Sequence, residues 1–443
     1  MKWFLWNEST ATMYAINLPH GYDEPHSSYP GLYCLHGGGD DHRARTRHGE
    51  VQAIANQAIR ESKTTTMIIL MHHEDKFHPK RLRRQTPMKR ASMLSAIWLL
   101  LSFAGQLPLQ ATPDFGTLPD PFSGRWEGVR QTTDKTAPLH ATVIASKDGY
   151  EVTLRAIDDP RSEAIVHFNG TTDHDILHLA PTLSLDRSEV IEVQDKGVLI
   201  NTLLWSGVGQ GERLTGTFRG GAVGQFELTK RAFVPSVTLG LAAPAGATVL
   251  FDGTDLAAWE DRRRPEEAIQ WIITPGGGLE VVSHRDGKRN KQDLQSKEIF
   301  GDYRMHLEFK LAYKPAATGQ GRSNSGIFHL GYYETQILDS FGLYGRDNEC
   351  GGIYKTREPD SNAAYPAGLW QTYDIEVQAP RFNRQGKKTA NARLTVRLNG
   401  VLVHDDVEVP KPTAGGQEGP TGPIVLQDHG NPVEFRNIWV EPR

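Results

Sequence analysis

The sequence has few of the residues and motifs that mark several large protein classes. Its 443 residues include only two cysteines, Cys34 and Cys350, which are too few for a disulfide framework. No C-x-x-C, H-E-x-x-H, Walker A or G-x-S-x-G pattern occurs. The sequence therefore shows no sign of thioredoxin-type redox chemistry, a zincin site, a P-loop or a nucleophile elbow.

An excess of positive charge is also missing. Lysine and arginine number 49 against 53 aspartates and glutamates, which gives a net charge of −4 and a pI near 6.5. Nucleic acid and anionic membrane surfaces are therefore not expected as partners. With 38% hydrophobic and 23% charged residues, the composition is that of a soluble globular protein. The length predicts two or three domains.

One apolar run, too short for a comfortable membrane span, has the layout of a secretory signal peptide. Residues 88–111 begin with a basic start at Met88, continue through the apolar residues 93–104 and end at Ala111. We therefore expect cleavage after Ala111 and a periplasmic or secreted protein that is not integral to a membrane after cleavage. The alternative is a buried helix inside a larger domain.

This segment changes the interpretation of residues 1–87. A signal peptide works only at an N-terminus, so Met88 is a candidate start and the preceding residues are then a mis-assigned extension. The alternative is a genuine fusion, because residues 14–44, with a His-Gly-Gly-Gly run from His36, resemble the early strands of secreted α/β-hydrolase esterases. No nucleophile elbow follows, so we expect a fragment without esterase activity.

A small β domain is predicted between two linkers. After a proline-rich linker at residues 112–121, short alternating strands recur about every ten residues over residues 122–233, as in a sandwich or barrel. The opening Gly-Arg-Trp-Glu-Gly from Gly124 and the closing Gly-Gln-Phe-Glu-Leu from Gly224 resemble small lipocalin-like barrels. We expect a barrel-like accessory domain, followed by a linker at residues 234–247.

Residues 248–443 predict a larger β domain. About a dozen strand-like segments and little helix occur there, which favours a two-sheet jelly-roll sandwich. Residues 303–311 alternate cleanly between apolar and polar types, and Asn399-Gly400 is typical of a hairpin turn. The predicted fold class is thus mainly β, with a jelly-roll sandwich preceded by a smaller all-β domain.

The candidate site lies in residues 323–340 of this domain. Glu334 and Gln336 are two residues apart, so on a strand they point to the same face. Asp339 joins that face if one bulged residue lies between. Two carboxylates and an amide on one face suit hydroxyl binding and acid–base chemistry on sugars, whereas an ordinary solvent-facing side is the alternative.

Six motifs follow one another across this domain. They are Leu250-Phe-Asp-Gly-Thr-Asp-Leu…Trp259, Ser323-Asn-Ser-Gly-Ile-Phe, Tyr333-Glu-Thr-Gln-Ile-Leu-Asp, Trp370-Gln-Thr-Tyr-Asp, Leu398-Asn-Gly and Leu426-Gln-Asp-His-Gly…Phe435-Arg-Asn-Ile-Trp. In this order they resemble the 3-keto-disaccharide hydrolase domain family. The resemblance implies a concanavalin A-like lectin/glucanase jelly roll, secreted or periplasmic, that hydrolyses glycosidic bonds of oxidised sugars. An oligosaccharide or glycoside is then the expected partner.

A 3-keto sugar has a specific chemical weakness. The C3 carbonyl acidifies the C2 hydrogen, and the C1 oxygen lies β to that carbonyl. Proton abstraction at C2, expulsion of the C1 oxygen and addition of water give net hydrolysis, which needs a base, an electrophile at O3 and an acid. The residues whose types fit catalytic roles are Glu334, Asp339 and His429. Either Glu334 or His429 is the expected base.

Other residues have types that suit substrate binding. These amides, rings and one cation are Asn324, Gln336, Trp370, Arg436 and Tyr332. Arg436, an amide or a possible divalent cation is expected to stabilise the enolate oxygen. Whether a metal is bound stays open, because the candidate catalytic side chains are also potential ligands. His329 either lines the same face or is a satisfied sheet histidine.

Two alternatives remain at this point. In a direct glycoside hydrolase of the glucanase type, Glu334 and Asp339 act as a carboxyl pair at the anomeric carbon. In a carbohydrate-binding module, the same sandwich binds sugars without catalysis. Convergence of Glu334, Asp339 and His429 in one cleft favours catalysis, whereas their scatter along an aromatic platform favours binding.

Overall fold

The computed structural model describes residues 114–181, 204–220, 222–285, 288–289, 291–413 and 415–443, together with four short strands nearer the N-terminus. The chain divides into two compact units, Met1–Gln110 and Ala111–Arg443. The predicted signal peptide at residues 88–111 lies outside the described residues, as does most of the esterase-like stretch at residues 14–44. Both assignments therefore stay predictions.

The described residues of the first unit form two small strand pairs. β1 (Lys2–Asn7) pairs antiparallel with β2 (Thr12–Asn17). β3 (His36–Gly37) pairs parallel with β4 (His72–His73), so the His-Gly-Gly-Gly run begins on a strand.

The second unit begins with a closed barrel of eight antiparallel strands. Its strands are β5 (Gly124–Thr132), β6 (Thr136–Ser146), β7 (Gly149–Arg155), β8 (Ala164–Asp173), β9 (Ile176–Pro181), β10 (Leu204–Gln210), β11 (Arg213–Gly220) and β12 (Ala222–Arg231). Each pairs with the next in the chain, and β12 pairs back to β5, so no strand is left as an edge. Alternation sets which residues point inward: Leu139, Ala141 and Val143 of β6 are buried, with less buried residues between them.

The remainder of this unit is a two-sheet sandwich. The larger sheet has the order β15–β16–β29–β20–β23–β26–β27, with β13 also pairing with β29. Its strands are β13 (Thr248–Phe251), β15 (Ile272–Ile273), β16 (Leu279–Glu280), β20 (Tyr303–Lys310), β23 (Trp370–Gln378), β26 (Ala392–Leu398), β27 (Val401–Val409) and β29 (Glu434–Pro442).

The smaller sheet has the order β14–β19–β28–β21–β22. Its strands are β14 (Trp259–Asp261), β19 (Leu294–Ser296), β21 (Ser325–His329), β22 (Tyr333–Ile337) and β28 (Val425–Leu426). Two further pairs, β17 (His284–Arg285) with β18 (Lys288–Arg289) and β24 (Arg381–Phe382) with β25 (Lys388–Ala390), lie outside both sheets. A 3₁₀ turn, Gly319–Gly321, precedes β21.

The two sheets enclose one hydrophobic core. Alternate residues of β20, Tyr303, Met305, Leu307 and Phe309, point into it and are fully buried. Because burial of each such side chain contributes about 1.5–3 kcal/mol, the alternation seen in the sequence is enough to fix which face of β20 is internal. The predicted fold class is confirmed: the described chain is mainly β, with a jelly-roll sandwich preceded by a smaller all-β domain.

The outer face of the larger sheet is also covered, by the chain that leaves the barrel. Thr238 donates a 2.7 Å hydrogen bond to Asp374, and Gly240 N–H donates one of 2.6 Å to Glu308. The described part of the chain contains no helix with the length and apolar character that crossing a membrane requires.

Candidate active site

Strand β22 carries the centre of the candidate site. Its alternate residues Tyr333, Thr335 and Ile337 are fully buried, and Tyr333 and Ile337 belong to the core. Glu334 and Gln336 therefore share the opposite face of the smaller sheet. β22 is the edge strand of that sheet, so loops rather than another strand close over its free side.

A glycine on the neighbouring strand makes room for the Glu334 side chain. Gly326 lies opposite Gln336 in the register of β21 and β22. A Cβ atom at Gly326 would lie 2.5 Å from Glu334 Oε1, closer than such atoms approach. The glycine of the Ser-Asn-Ser-Gly motif is thus required for the position of the carboxyl group.

The Glu334 carboxyl is buried beside its amide neighbours. The residue is 4% exposed, and no described residue donates a hydrogen bond to its side chain. Burial raises its pKa to about 7, because the charged form loses its hydration. A carboxyl with this pKa exchanges protons readily near neutral pH, which suits a general base or acid.

Three charged residues act on this carboxyl. Lys355 and Lys291 lower its pKa, and Asp293 raises it. Lys355 belongs to a loop held at the edge of β22, where Tyr354 N–H donates a 3.0 Å hydrogen bond to Glu334 O. Sequence reasoning missed all three charges. Lys291 and Asp293 alternate with buried residues just before β19, and this pattern could have placed them on the outer face of the smaller sheet. No strand pattern links Lys355 to Glu334.

A group of amide side chains lies beside Glu334. Gln336 Nε2 donates to Gln320 Oε1 at 3.1 Å and to Asn348 O at 3.3 Å, while Gln320 Nε2 donates to Asn348 O at 2.9 Å. Asn324 Nδ2 donates to Gln320 O at 3.2 Å and to Gln320 Oε1 at 2.8 Å. Backbone carbonyls only accept, so they fix which end of each amide is the nitrogen.

Within the part of the chain that the structure describes, three amide oxygens at the site receive no hydrogen bond. Asn324 Oδ1, Gln336 Oε1 and Gln427 Oε1 are buried and unpartnered. Gln427 belongs with the other two, because its N–H donates a 3.0 Å hydrogen bond to Gly326 O beside β22. Each buried, unpaired acceptor costs about 1–3 kcal/mol. We call these three oxygens the acceptor array; hydroxyl groups of a ligand are the donors that would satisfy it.

The structure does not place Asp339 with Glu334. β22 ends at Ile337, and Asp339 N–H donates a 3.0 Å hydrogen bond to Arg322 O. Its carboxylate forms a 2.7 Å ion pair with Arg322 and lies near Tyr313. Burial raises the pKa of Asp339, and Arg322 opposes that effect. The register of β21 and β22 runs without a shift as far as Ile337, so the expected bulge does not lie within the strand.

His429 and Tyr332 lie at the margin of the site. His429 is exposed in a turn two residues after Gln427, and its carbonyl accepts a 3.4 Å hydrogen bond from Asn431. The turn is stabilised by Asp428, which accepts a 2.8 Å hydrogen bond from Gly430 N–H. Tyr332 is half-buried before β22 and packs against the core.

Arg436 and Trp370 lie away from Glu334, on the outer face of the larger sheet. The Arg436 guanidinium is 4.0 Å from the centre of the Trp370 ring, and Lys310 is 4.8 Å from the same ring. Arg436 Nε donates a 2.6 Å hydrogen bond to Glu308. The structure therefore groups these two predicted binding residues with Glu308 rather than with Glu334.

His329 is a satisfied sheet histidine. Its ring nitrogens lie 2.9 Å from Tyr303 Oη and 2.9 Å from Thr335 Oγ1, inside the core. Burial lowers its pKa to about 3, so the ring is neutral at physiological pH. Among the described residues, no group of three or more His, Cys, Asp or Glu side chains is arranged to hold a metal ion.

Comparison with known proteins gives this geometry a context. Residues 246–441 match the model of the 3-keto-alpha-glucoside-1,2-lyase-like domain. A solved protein of Parabacteroides distasonis ATCC 8503, provisionally assigned as a glycosyl hydrolase, is 34% identical; the match covers 48% of this chain and 92% of that chain, with a TM-score of 0.41. Another solved protein of the same organism, with the same provisional assignment, is 19% identical over 45% of this chain and 94% of that one, with a TM-score of 0.34.

The carbohydrate-binding module CBM66 of Bacillus subtilis is 15% identical over 42% of this chain and 95% of that one, with a TM-score of 0.23. None of the curated proteins compared with this sequence matches it. The family match indicates a carbohydrate-related domain of glycosyl-hydrolase-like or carbohydrate-binding type.

Proposed function

Because the chain belongs to the 3-keto-alpha-glucoside-1,2-lyase-like domain family, we propose that it cleaves the glycosidic bond of 3-keto-disaccharides and related 3-keto-glycosides. The observation that carries the proposal is the Glu334 carboxyl, buried beside three unpartnered amide oxygens with a pKa near 7. A base of that strength suits removal of a proton acidified by an adjacent carbonyl.

Glu334 is the general base in this reaction. Its carboxylate takes the C2 proton, and the C2–H electron pair forms an enolate with the C3 carbonyl. Collapse of the enolate forms a C1–C2 double bond and expels the C1 oxygen as the alcohol of the leaving sugar. Water then adds at C1 and gives its proton to the group that protonated the leaving oxygen. C2 takes a proton from Glu334 after that carboxyl has exchanged its proton with solvent. The sum is hydrolysis without oxidation or reduction of the substrate.

The lysines near Glu334 supply the positive charge that the reaction needs at the substrate oxygens. Lys355 and Lys291 are the cations that act on the Glu334 carboxyl, so negative charge that develops beside it is stabilised by the same groups. They are assigned to the enolate oxygen at O3 and to protonation of the leaving oxygen. The acceptor array binds substrate hydroxyls, which orients C2 towards Glu334.

A direct carboxyl-pair mechanism has less support. It requires two carboxyl groups flanking the scissile bond, and Asp339 is instead paired with Arg322. Asp293 acts on Glu334 electrostatically, but one of its oxygens already accepts a 3.0 Å hydrogen bond from Asp428 N–H. A binding module without catalysis is favoured by one observation, the acceptor array, because it can hold hydroxyls whether or not Glu334 reacts.

The decisive experiment is turnover of a disaccharide and of its 3-keto derivative by the purified protein in D₂O, each with and without chelator. Cleavage of the keto form alone, with deuterium at C2 of the released keto sugar, is the expected result. Cleavage of the plain disaccharide would establish a direct glycosidase instead. Binding of either sugar without cleavage would establish a carbohydrate-binding module. Loss of turnover with chelator would add a divalent cation at the enolate oxygen.

The location belongs to the same proposal. Residues 88–111 predict export to the periplasm or medium, where glycosides are available as substrates. Cell fractionation followed by N-terminal sequencing checks this. A mature protein that begins at Thr112 is expected, and a cytoplasmic protein that retains residues 88–111 would contradict it.

A further inference from the structure

One arginine of the barrel binds the sandwich through its guanidinium group. Arg161, in the turn between β7 and β8, donates to Tyr344 O at 3.0 Å, Gly345 O at 3.1 Å and Asp360 O at 2.7 Å, and also to Pro359 O. The group also lies over the Tyr344 ring, 5.1 Å from its centre. A planar guanidinium with five donors suits this arrangement, because it joins two separate loop segments through backbone atoms alone.

The loop that Arg161 binds leads directly to the candidate site. Glu349 Oε2 accepts hydrogen bonds from Gly345 N–H at 2.6 Å and Arg346 N–H at 3.0 Å, which closes a tight turn. Within that turn, Asn348 O accepts from Gln320 and Gln336. Three residues therefore separate a carbonyl bound by Arg161 from the carbonyl that orients two of the site's amides.

The barrel contacts a second loop that flanks the site. Tyr313 donates a 2.9 Å hydrogen bond to Asp120, which also accepts one of 2.8 Å from Tyr150 on β7. Close packing continues at Gly342, where a Cβ atom would lie 2.5 Å from the Thr142 side chain of β6. Tyr313 precedes Gln320 and Asn324 in the chain. The loop that supplies these two amides is therefore tied to the barrel through Asp120, and the turn that supplies Asn348 O contacts the barrel directly.

We infer that the barrel is a positioning domain for the site, and that Arg161 holds the 344–349 turn so that the amide oxygens face the ligand. Arg161 contacts no part of the acceptor array itself and acts through Asn348 O. This inference assigns a role to the barrel and rests on the proposed function, because it takes the array to bind sugar hydroxyls. Without the Arg161 contacts, the amides lose the fixed acceptor that sets their orientation.

The test compares the full chain with its Arg161→Ala and Arg161→Lys variants. The control is Arg213→Ala, which removes an exposed barrel arginine paired with Glu227. In Arg161→Ala, KM for the 3-keto-disaccharide is expected to rise about tenfold while kcat falls less than threefold, since binding hydroxyls are misaligned but Glu334 is retained. Arg161→Lys should lie between, and Arg213→Ala should match the wild type. A fall in kcat with unchanged KM would show only a loss of folded protein and would overturn the inference.

Hydrogen exchange gives a readout that does not depend on activity. Backbone amides in residues 316–324 and 343–349 are expected to exchange at least several-fold faster in Arg161→Ala, with barrel strands β5 and β6 unchanged. Unchanged exchange in both loops would overturn the inference even if kinetics altered. If the wild type neither binds nor cleaves the sugars, the proposed function fails, while the exchange experiment still decides whether Arg161 holds the turn.

Discussion

The two outer faces of the sandwich each bury one glutamate, with opposite results. Glu334 on the smaller sheet is 4% exposed, receives no donor from the described residues and has a pKa of about 7. Glu308 on the larger sheet is fully buried, yet hydrogen bonds from His306, Asn437 and Arg436 outweigh the effect of burial and lower its pKa to about 2. Burial by itself therefore does not decide the protonation of a carboxyl; the supply of donors does.

The difference separates a structural site from a reactive one. Around Glu308 the donors are provided by the protein: Arg436 at 2.6 Å, Gly240 N–H at 2.6 Å and Asn437 at 2.9 Å. Around Glu334 the nitrogens of Asn324 and Gln336 are hydrogen-bonded, whereas their oxygens have no partner among the described residues. The first arrangement holds the linker against the larger sheet. The second is complete only when a ligand supplies donors.

The largest expected effect is on catalysis. Glu334→Gln is expected to reduce kcat for the 3-keto-disaccharide by about 10²–10⁴-fold, because the amide cannot take the C2 proton. Steady-state kinetics measure this, with Glu376→Gln as a control at an exposed ion pair on the larger sheet. Glu308→Gln should leave kcat of the folded protein close to the wild-type value. Full activity of Glu334→Gln would remove it from the mechanism.

The next effect is on stability and concerns the other face. Glu308→Ala is expected to lower the free energy of unfolding by about 3–5 kcal/mol, since it leaves half-buried Arg436 and buried His306 without their shared partner. Urea denaturation measures the change. Removing the exposed Glu376 carboxylate in Glu376→Ala should cost about 0–1 kcal/mol. Equal losses of unfolding free energy in the two variants would contradict the claim that the hydrogen bonds received by Glu308 stabilise the fold.

The raised pKa of Glu334 also predicts how the free energy of unfolding changes with pH. The pKa of Glu334 is raised from an ordinary 4.5 to about 7, so the folded protein is penalised as pH rises between these values. The penalty is absent below about pH 4 and reaches about 3 kcal/mol above pH 7. Glu334→Gln should therefore gain stability over the wild type between pH 4 and pH 8 by about that amount, measured by urea denaturation. A constant difference across this range would argue against the raised pKa.

The last prediction is a shift in pH dependence that comes in addition to the loss of kcat expected when Lys355 no longer acts on the substrate oxygens. Lys355 favours the charged form of Glu334, so Lys355→Met should raise the pKa of that carboxyl further. The rising limb of the plot of kcat/KM against pH should then move to higher pH, because Glu334 with a higher pKa ionises only at higher pH. Lys387→Met, which removes an exposed lysine from a distant turn, is the matched control. A limb that moves equally in both variants would exclude a specific action of Lys355.

Strand alternation accounts for the part of the site that could be predicted. Glu334 and Gln336 occupy one face because side chains in a strand alternate, and this needs no knowledge of the rest of the fold. Arg436 was proposed for its charge alone, which does not say which sheet carries it. Trp370 was likewise proposed to bind substrate because its ring suits contact with a sugar. It lies instead between Arg436 and Lys310 on the larger sheet.

The remaining assignments depended on where strands end and which loops return. Asp339 was placed by an assumed bulge, whereas β22 ends at Ile337 and the carboxylate meets Arg322. Lys355 and Gln320 reach Glu334 and Gln336 from loops that have no periodic pattern. Unpaired oxygens in the acceptor array are invisible in a sequence, because the orientation of an amide is set by its partners.

The sequence by itself determined a mainly β chain, the core face of each long strand and the pairing of Glu334 with Gln336 on one side of β22. These follow from local alternation and from the free energy of burying apolar side chains. Only the tertiary structure decided that no described residue donates to Glu334 while Glu308 receives several donors. Donors come from residues distant in the chain, so the charge state of a buried carboxyl is a property of the assembled fold.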